Sequence, residues 1–233
     1  DVLPLITMMK DNLEKENYLL KLIAKELGCS MEEVVDFDLF LYEYEKGILV
    51  GAEEEFISAS RLDNLAMVHA GIKALIASDY SAETQVMVAY DNEEVGSSTK
   101  QGADSQLLSN VLERIVFSFG GDREDFFRSL SSSYMISADL AHAVHPNYGE
   151  KHDPTNRPVI NGGPVIKISA NQRYTSDADS SAAYELICQA AEVPVQKFVN
   201  RSDMVGGSTI GPISSTHLDI RSVDMGTPIF GMH

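Results

Sequence analysis

The chain has 233 residues, 44% of them apolar, with nine Phe and nine Tyr, which suffices for the core of one domain or one and a part and argues against disorder. A formal net charge of −17 argues against a nucleic-acid binder, whose affinity depends on neutralising phosphates, and against attachment to anionic membrane surfaces. Cys29 and Cys188 lie far apart and outside any metal-ligand spacing, no apolar run reaches membrane-spanning length, and residues 1–20 lack a signal-peptide pattern, so a cytoplasmic location is expected.

In chain order, residues 11–28 place Leu19, Leu20, Leu22, Ile23 and Leu27 at helical spacing and stop at Gly28. Ser30 followed by Glu33 predicts a capped short helix. Residues 36–45 (DFDLFLYEYE) alternate charged and apolar side chains, which predicts a strand with one wet face. This opening section reads as a small α+β unit. Beyond Glu53–Glu55 the spacing predicts strand 56–60, helix 63–78, strand 84–90, helix 106–119 and strands 134–138 and 164–170. Helix 179–192 and strands 193–200 and 219–225 follow. Strands alternating with helices point to an α/β layered sheet, with the long connections 145–163 and 201–218 at the strand ends where such sheets build their sites.

The string AYDNEEVGSS (89–98) puts two adjacent carboxylates, Glu93 and Glu94, just past the apolar run 86–89, which reads as a buried strand. Two anions that close repel unless a proton or cation sits between them. A divalent metal could bind one and leave the other free to move protons. Other potential ligands at strand-to-loop junctions are Asp63, Asp139 and the terminal His233. Oxygen and imidazole donors without cysteine suit Zn, Mn or Co in a hydrolytic site. Each residue also has a plain reading: Asp63 as an N-cap, Asp139 as a loop residue, His142 and His145 as structural histidines. A glycosidase pair fits poorly, because adjacent glutamates cannot straddle a sugar bond and the chain has no Trp.

The strings SRLDNL (61–66), DNEEVGS (91–97), SADLAHAVHPNY (137–148), NGGPVIKISANQRY (161–174), RSDMVGGSTIGPI (201–213) and VDMGTPIFGMH (223–233) resemble the aspartyl aminopeptidase, or aminopeptidase I, family of co-catalytic zinc exopeptidases. The resemblance implies a zinc-exopeptidase-like α/β layered sheet flanked by helices over residues 51–233. Residues 1–50 would be the C-terminal part of a smaller inserted dimerisation or lid domain. The implied activity is removal of the N-terminal residue, Asp or Glu by preference, from peptides, through a metal-bridging water with Glu93 as general base.

Residue by residue, Asp63 would bridge two zinc ions, with a cis peptide following it. Glu94 and His233 would ligate one ion and Asp139 the other. His142 would stabilise the developing oxyanion. Lys167 would line the pocket for the substrate's first side chain, with Tyr174 and the Gly206–Gly207–Ser208–Thr209 turn around it. The partners implied are peptide substrates and further copies of the chain, in a dodecamer built from dimers. The family's first ligand, in an upstream His-x-Asp motif, has no match here, since His69 falls inside helix 63–78. The chain is therefore expected to be a piece of a longer protein, carrying four of five ligands. The other expectation is a catalytically incompetent fragment, or an assembly homologue that keeps the peptidase fold.

Overall fold

In the computed structural model, which describes residues 4–8 and 17–233, the chain divides between Glu45 and Lys46 into two units. In the first, helix α1 spans Tyr18–Leu27; residues 11–16 of the expected helix lie outside the described residues. Gly28 turns left-handed at φ 69°, and the Cys29 N–H reaches the Ala24 carbonyl at 3.0 Å, which closes the helix as the sequence predicts. The Ser30–Glu33 cap is also present: the Ser30 N–H donates to Glu33 Oε2 at 2.8 Å ahead of a single 3-10 turn.

The expected strand over 36–45 is absent, and its residues are exposed. Alternation marks an extended amphipathic segment, but a strand also needs a ladder partner, and none pairs with it among the described residues.

The second unit opens with an antiparallel ribbon of β1 (Ile48–Val50) and β2 (Phe56–Ser58). Helix α2 (Leu62–Ala77) follows, then α3 (Leu107–Ser118) and α4 (Arg123–Ser131). Helix α4 is not evident from apolar spacing; reciprocal bonds between Asp122 and Asp125, each 3.0 Å, start it. Next come β3 (Tyr134–Ala138), β4 (Ala141–His142), β5 (Val165–Ile168), α5 (Ala178–Ala190) and β6 (Gln196–Val199). Helix α6 (Gly211–Leu218) then leads to β7 (Arg221–Gly226) and β8 (Pro228–Ile229).

The main sheet has the order β3-β7-β5-β6, with β7 and β5 antiparallel and the other pairs parallel. Strand β4 continues β3, and β8 continues β7. The Asp139 N–H bonds the Met225 carbonyl at 2.9 Å and the Ala141 N–H bonds the Thr227 carbonyl at 2.9 Å, so pairing persists across the break. Gly226 permits this crossing: a Cβ there would lie 1.6 Å from the Asp139 carbonyl oxygen.

Alternation along the strands sorts side chains between faces. Ile166 of β5 with Val223 and Met225 of β7 joins Met67, Leu140, Tyr184 and Cys188 in the core under α2 and α5. On the other face, Val165 packs with Ala141, Tyr174 and Phe198. Full burial of a side chain such as Ile166 or Val223 contributes about 1.5–3 kcal/mol.

The expected strand over 84–90 is not formed. The segment joins no ladder, and Val86 and Val88 are 48% and 38% exposed rather than buried. The reading of the apolar run as a buried strand is therefore incorrect: no strand lies beside it among the described residues to accept its hydrogen bonds.

Candidate active site

At the break between β3 and β4 lies a cleft of about 160 Å³, and every sequence-predicted site residue lines it except Gly206 of the glycine turn. Asp63 enters from the start of α2, where Asp63 (ψ 114°) and Asn64 depart from helical geometry and the peptide between them is cis. Asn64 anchors this turn by donating to the Ala138 carbonyl at 2.8 Å, beside Asp139. The plain N-cap reading of Asp63 is therefore incorrect. Its side chain faces the cleft, with Oδ2 3.5 Å from His233 Nε2, while its buried Oδ1 has no hydrogen-bond partner.

Glu93 and Glu94 sit on a tight turn, closed by the Gly96 N–H to the Glu93 carbonyl at 2.9 Å and the Ser97 N–H to the Asn92 carbonyl at 2.9 Å. Asn92 adopts φ 60° there, a conformation asparagine tolerates. The loop is fastened further on. Asp104 accepts from Ser98 at 2.9 Å and pairs with His217 of α6 at 2.7 Å, and this holds its carboxyl below the usual range. Neither Asp104 nor His217 was evident as a support from the sequence, because they are far apart in it.

His233 Nε2 lies 2.8 Å from Glu94 Oε1. Asp63, Glu94 and His233 each present a ligand atom within 4.8 Å of the others, the one set of metal-ligating side chains so placed among the described residues. Two carboxylates and an imidazole fit zinc, and the unpartnered Asp63 Oδ1 is an oxygen awaiting a cation or proton. Without a metal, burial, then a hydrogen bond and repulsion from Asp139, then Glu94, push Asp63 up to about 7.

Asp139 lies in the same cleft but outside that set. Its Oδ2 is 2.6 Å from Lys167 Nζ, and Lys167 is only 4% exposed. A buried ammonium needs a counterion, and Asp139 supplies it here. The ammonium also stands 5.7 Å from the ring centre of the buried Tyr174, whose hydroxyl accepts from Asn200 Nδ2 at 3.3 Å. Ser208 donates to the Arg173 carbonyl at 2.9 Å and Thr209 to Asp224 at 2.8 Å, so both turn residues are held against the cleft wall. Gly207 lines the cleft with them.

Solvent still reaches Glu93. Partial desolvation, then Asp139 and Glu94, raise its pKa, and Lys167 and His233 pull it back. His142 is shifted the other way, by desolvation first and then by Lys167 and His152, so its ring favours the neutral form. Its ring centre is 6.1 Å from that of Phe198. His145 instead stacks with Tyr148 and Phe230, outside the cleft, in line with its structural reading. His69 is exposed on α2 and does not line the cleft. A wider groove of about 550 Å³ along α5, lined mainly by aliphatic side chains such as Leu186 and Val193, holds no comparable set of groups.

Asp224, which accepts from Thr209 behind the cleft lining, was also not evident from the sequence. A lone carboxylate between Val223 and Met225 was the available signal.

The model of the family described as "Aminopeptidase I zinc metalloprotease (M18)" matches residues 4–233. A "Probable M18 family aminopeptidase 2" of Clostridium novyi (strain NT) is 64% identical over 233 residues, covering 100% of this chain and 54% of that protein. The chain in the cryo-EM structure of the Ape4 and Nbr1 complex has a TM-score of 0.82 and 38% identity, over 95% of this chain and 45% of that one. The S. cerevisiae mApe1 dodecamer gives 0.75 and 31% identity, over 90% of this chain and 48% of its own. The chain thus spans about half the length of the curated relatives it matches.

Proposed function

This chain belongs to the M18 family of aminopeptidase I zinc metalloproteases, and from that premise we propose that it carries the proton-transfer and substrate-recognition half of an enzyme that removes an acidic residue from the N-terminus of peptides. The observation that carries the reading is the pairing, in one cleft, of the Asp63–Glu94–His233 donor set with a buried lysine.

Zinc held by Asp63, Glu94 and His233 would supply Lewis acidity and lower the pKa of water at the site. Glu94 is committed to that donor set by its contact with His233, so the neighbouring Glu93 is left to take the proton of the attacking water. Its raised pKa suits it to hold that proton and return it to the leaving amine. His142, kept neutral by desolvation and by Lys167, can donate an N–H toward the negative charge that develops on the carbonyl oxygen. Among the described residues Lys167 offers the only ammonium in the cleft lining, and a substrate carboxylate would compete for it with Asp139. Asp139 released in that exchange would be available to a second ion shared with Asp63, with Mn or Co as alternatives to zinc at either position.

Residues 1–50 would belong to the inserted dimerisation or lid domain, and assembly into a dodecamer built from dimers in the cytoplasm is the expected context. Support comes from the relative solved as a dodecamer and from exposed apolar side chains such as Leu65 and Phe119. Glu93→Gln in the full-length enzyme tests the central assignment. Turnover should fall by about a thousandfold or more while zinc content stays near that of the wild type. Parallel loss of zinc and turnover would make Glu93 a ligand and reverse the roles of the two glutamates.

A further inference from the structure

We propose that Asp224 is a positioning residue: its buried carboxylate ties the Tyr174–Ser176 segment to the turn that carries Ser208 and Thr209, and so fixes the pocket wall around Lys167. This rests on the assignment of that pocket to the substrate's first side chain.

Asp224 lies in the middle of β7 and is 0% exposed. Its neighbours Val223 and Met225 turn to the core under α5, which directs Asp224 to the cleft side of the sheet. No cation bonds its carboxylate among the described residues. Neutral donors hold it instead: the Thr175 N–H at 2.6 Å on Oδ2 and the Thr209 hydroxyl at 2.8 Å on Oδ1. Its backbone clasps Ser176 from both sides, with the Asp224 N–H donating to Ser176 Oγ at 2.9 Å and the Ser176 hydroxyl donating to the Asp224 carbonyl at 3.2 Å. Thr175 continues the network to Ser215 of α6 at 3.0 Å.

A carboxylate so placed is costly, and an aliphatic side chain would fill the same space without that cost. What only the carboxylate supplies is acceptance in two directions, toward two segments distant in sequence. Those segments bring Tyr174, Ser208 and Thr209 to the cleft. Tyr174 is one residue from the held Thr175 and faces the Lys167 ammonium. The chain also gives up a side chain to let the carboxylate in, since a Cβ on Gly211 would lie 2.4 Å from Asp224 Oδ2.

The test uses the full-length zinc enzyme with Asp224→Asn and Gly211→Ala, the second of which keeps every charge and every lining side chain while displacing the carboxylate. We expect KM for a peptide beginning with Asp to rise about tenfold, with kcat changed less than about threefold and zinc content unchanged. Hydrogen exchange at the Thr175 amide should accelerate by about tenfold in the same variants. Faster exchange with an unmoved KM would overturn the proposal, as would a fall in kcat together with loss of zinc, which would make Asp224 a support of the metal centre. If Gly211→Ala fails to fold, Ser176→Ala loosens the clasp instead; a KM rise of about threefold is then expected, and no rise overturns the proposal. Should the wild type show no preference between peptides beginning with Asp and Leu, the acidic-pocket reading fails, while a KM rise common to both peptides still supports Asp224 as the residue that holds the wall.

Discussion

The two halves of the cleft solve opposite electrostatic problems. On one side Asp63, Glu94 and His233 converge, with Glu94 and His233 open to solvent and an oxygen of Asp63 buried without a partner. On the other side Lys167 and Asp224 are almost fully buried, and each is bonded to named partners. The first half is a pair of repelling carboxylates with an imidazole beside them, a set that a cation would complete. The second is satisfied as it stands and can present a preformed surface to a ligand. A metal site can tolerate exposure because the ion provides the cohesion, whereas a charged specificity pocket must be built before its ligand arrives.

The contrast can be broken most sharply at Lys167. Lys167→Met keeps the packed stem and removes the charge, so cleavage of peptides beginning with Asp or Glu should drop by about 100-fold in kcat/KM. Cleavage of peptides beginning with Leu should change far less. Equal losses on both classes would mean that Lys167 serves the fold or Asp139 rather than substrate choice.

The metal half should respond to pH. In the absence of a metal, Asp63 titrates at about 7, well above its ordinary value, so zinc must displace a proton from it below that pH. Zinc affinity should therefore weaken by about tenfold per pH unit below 7, and calorimetry in buffers of different ionisation enthalpy should detect the released proton. The sign for folding is the reverse of the usual carboxylate. Because the folded pKa is raised, the protonated form is favoured in the fold, and Asp63 destabilises the metal-free protein progressively as pH rises from about 4 to 7. Zinc affinity independent of pH across this window would contradict a metal on Asp63.

The smallest effect sharpens the division between the two faces of the sheet. Ile166→Val, beside Lys167 on β5 but facing the core, should lower stability by about 1 kcal/mol in denaturant unfolding. Ratios of kcat/KM between acidic and neutral peptides should not move. A change in that ratio would mean that core packing reaches the pocket.

Much of this molecule was legible from local chemistry. The stop at Gly28, the Ser30–Glu33 cap, the helices over 106–119 and 179–192 and the strands around 134–138 and 164–170 all follow from signals carried within a few residues. Asp63, Glu93, Glu94, Asp139 and His233 stood out as candidates at strand-to-loop junctions, whereas His142 and Lys167 entered only through the family resemblance. Residues 36–45 and 84–90 mark the limit of such reading. Alternation or an apolar run specifies extended backbone, but a strand exists only where another strand accepts its hydrogen bonds, and that partner is a tertiary fact. Helix α6 was hidden within a polar connection with little apolar periodicity, although Pro212 in its first turn is a local start signal.

The sequence by itself determined the identity of the chemical groups and the order in which the chain supplies them. Only the tertiary structure decided their partners. It joined Glu94 to His233 across 139 positions (233 − 94), directed Asp139 to Lys167, and placed Asp224 where two distant segments meet. The reason is physical: a side chain's donors and acceptors are intrinsic to the residue, but the energy of a charge depends on which groups and how much water surround it once the chain has folded.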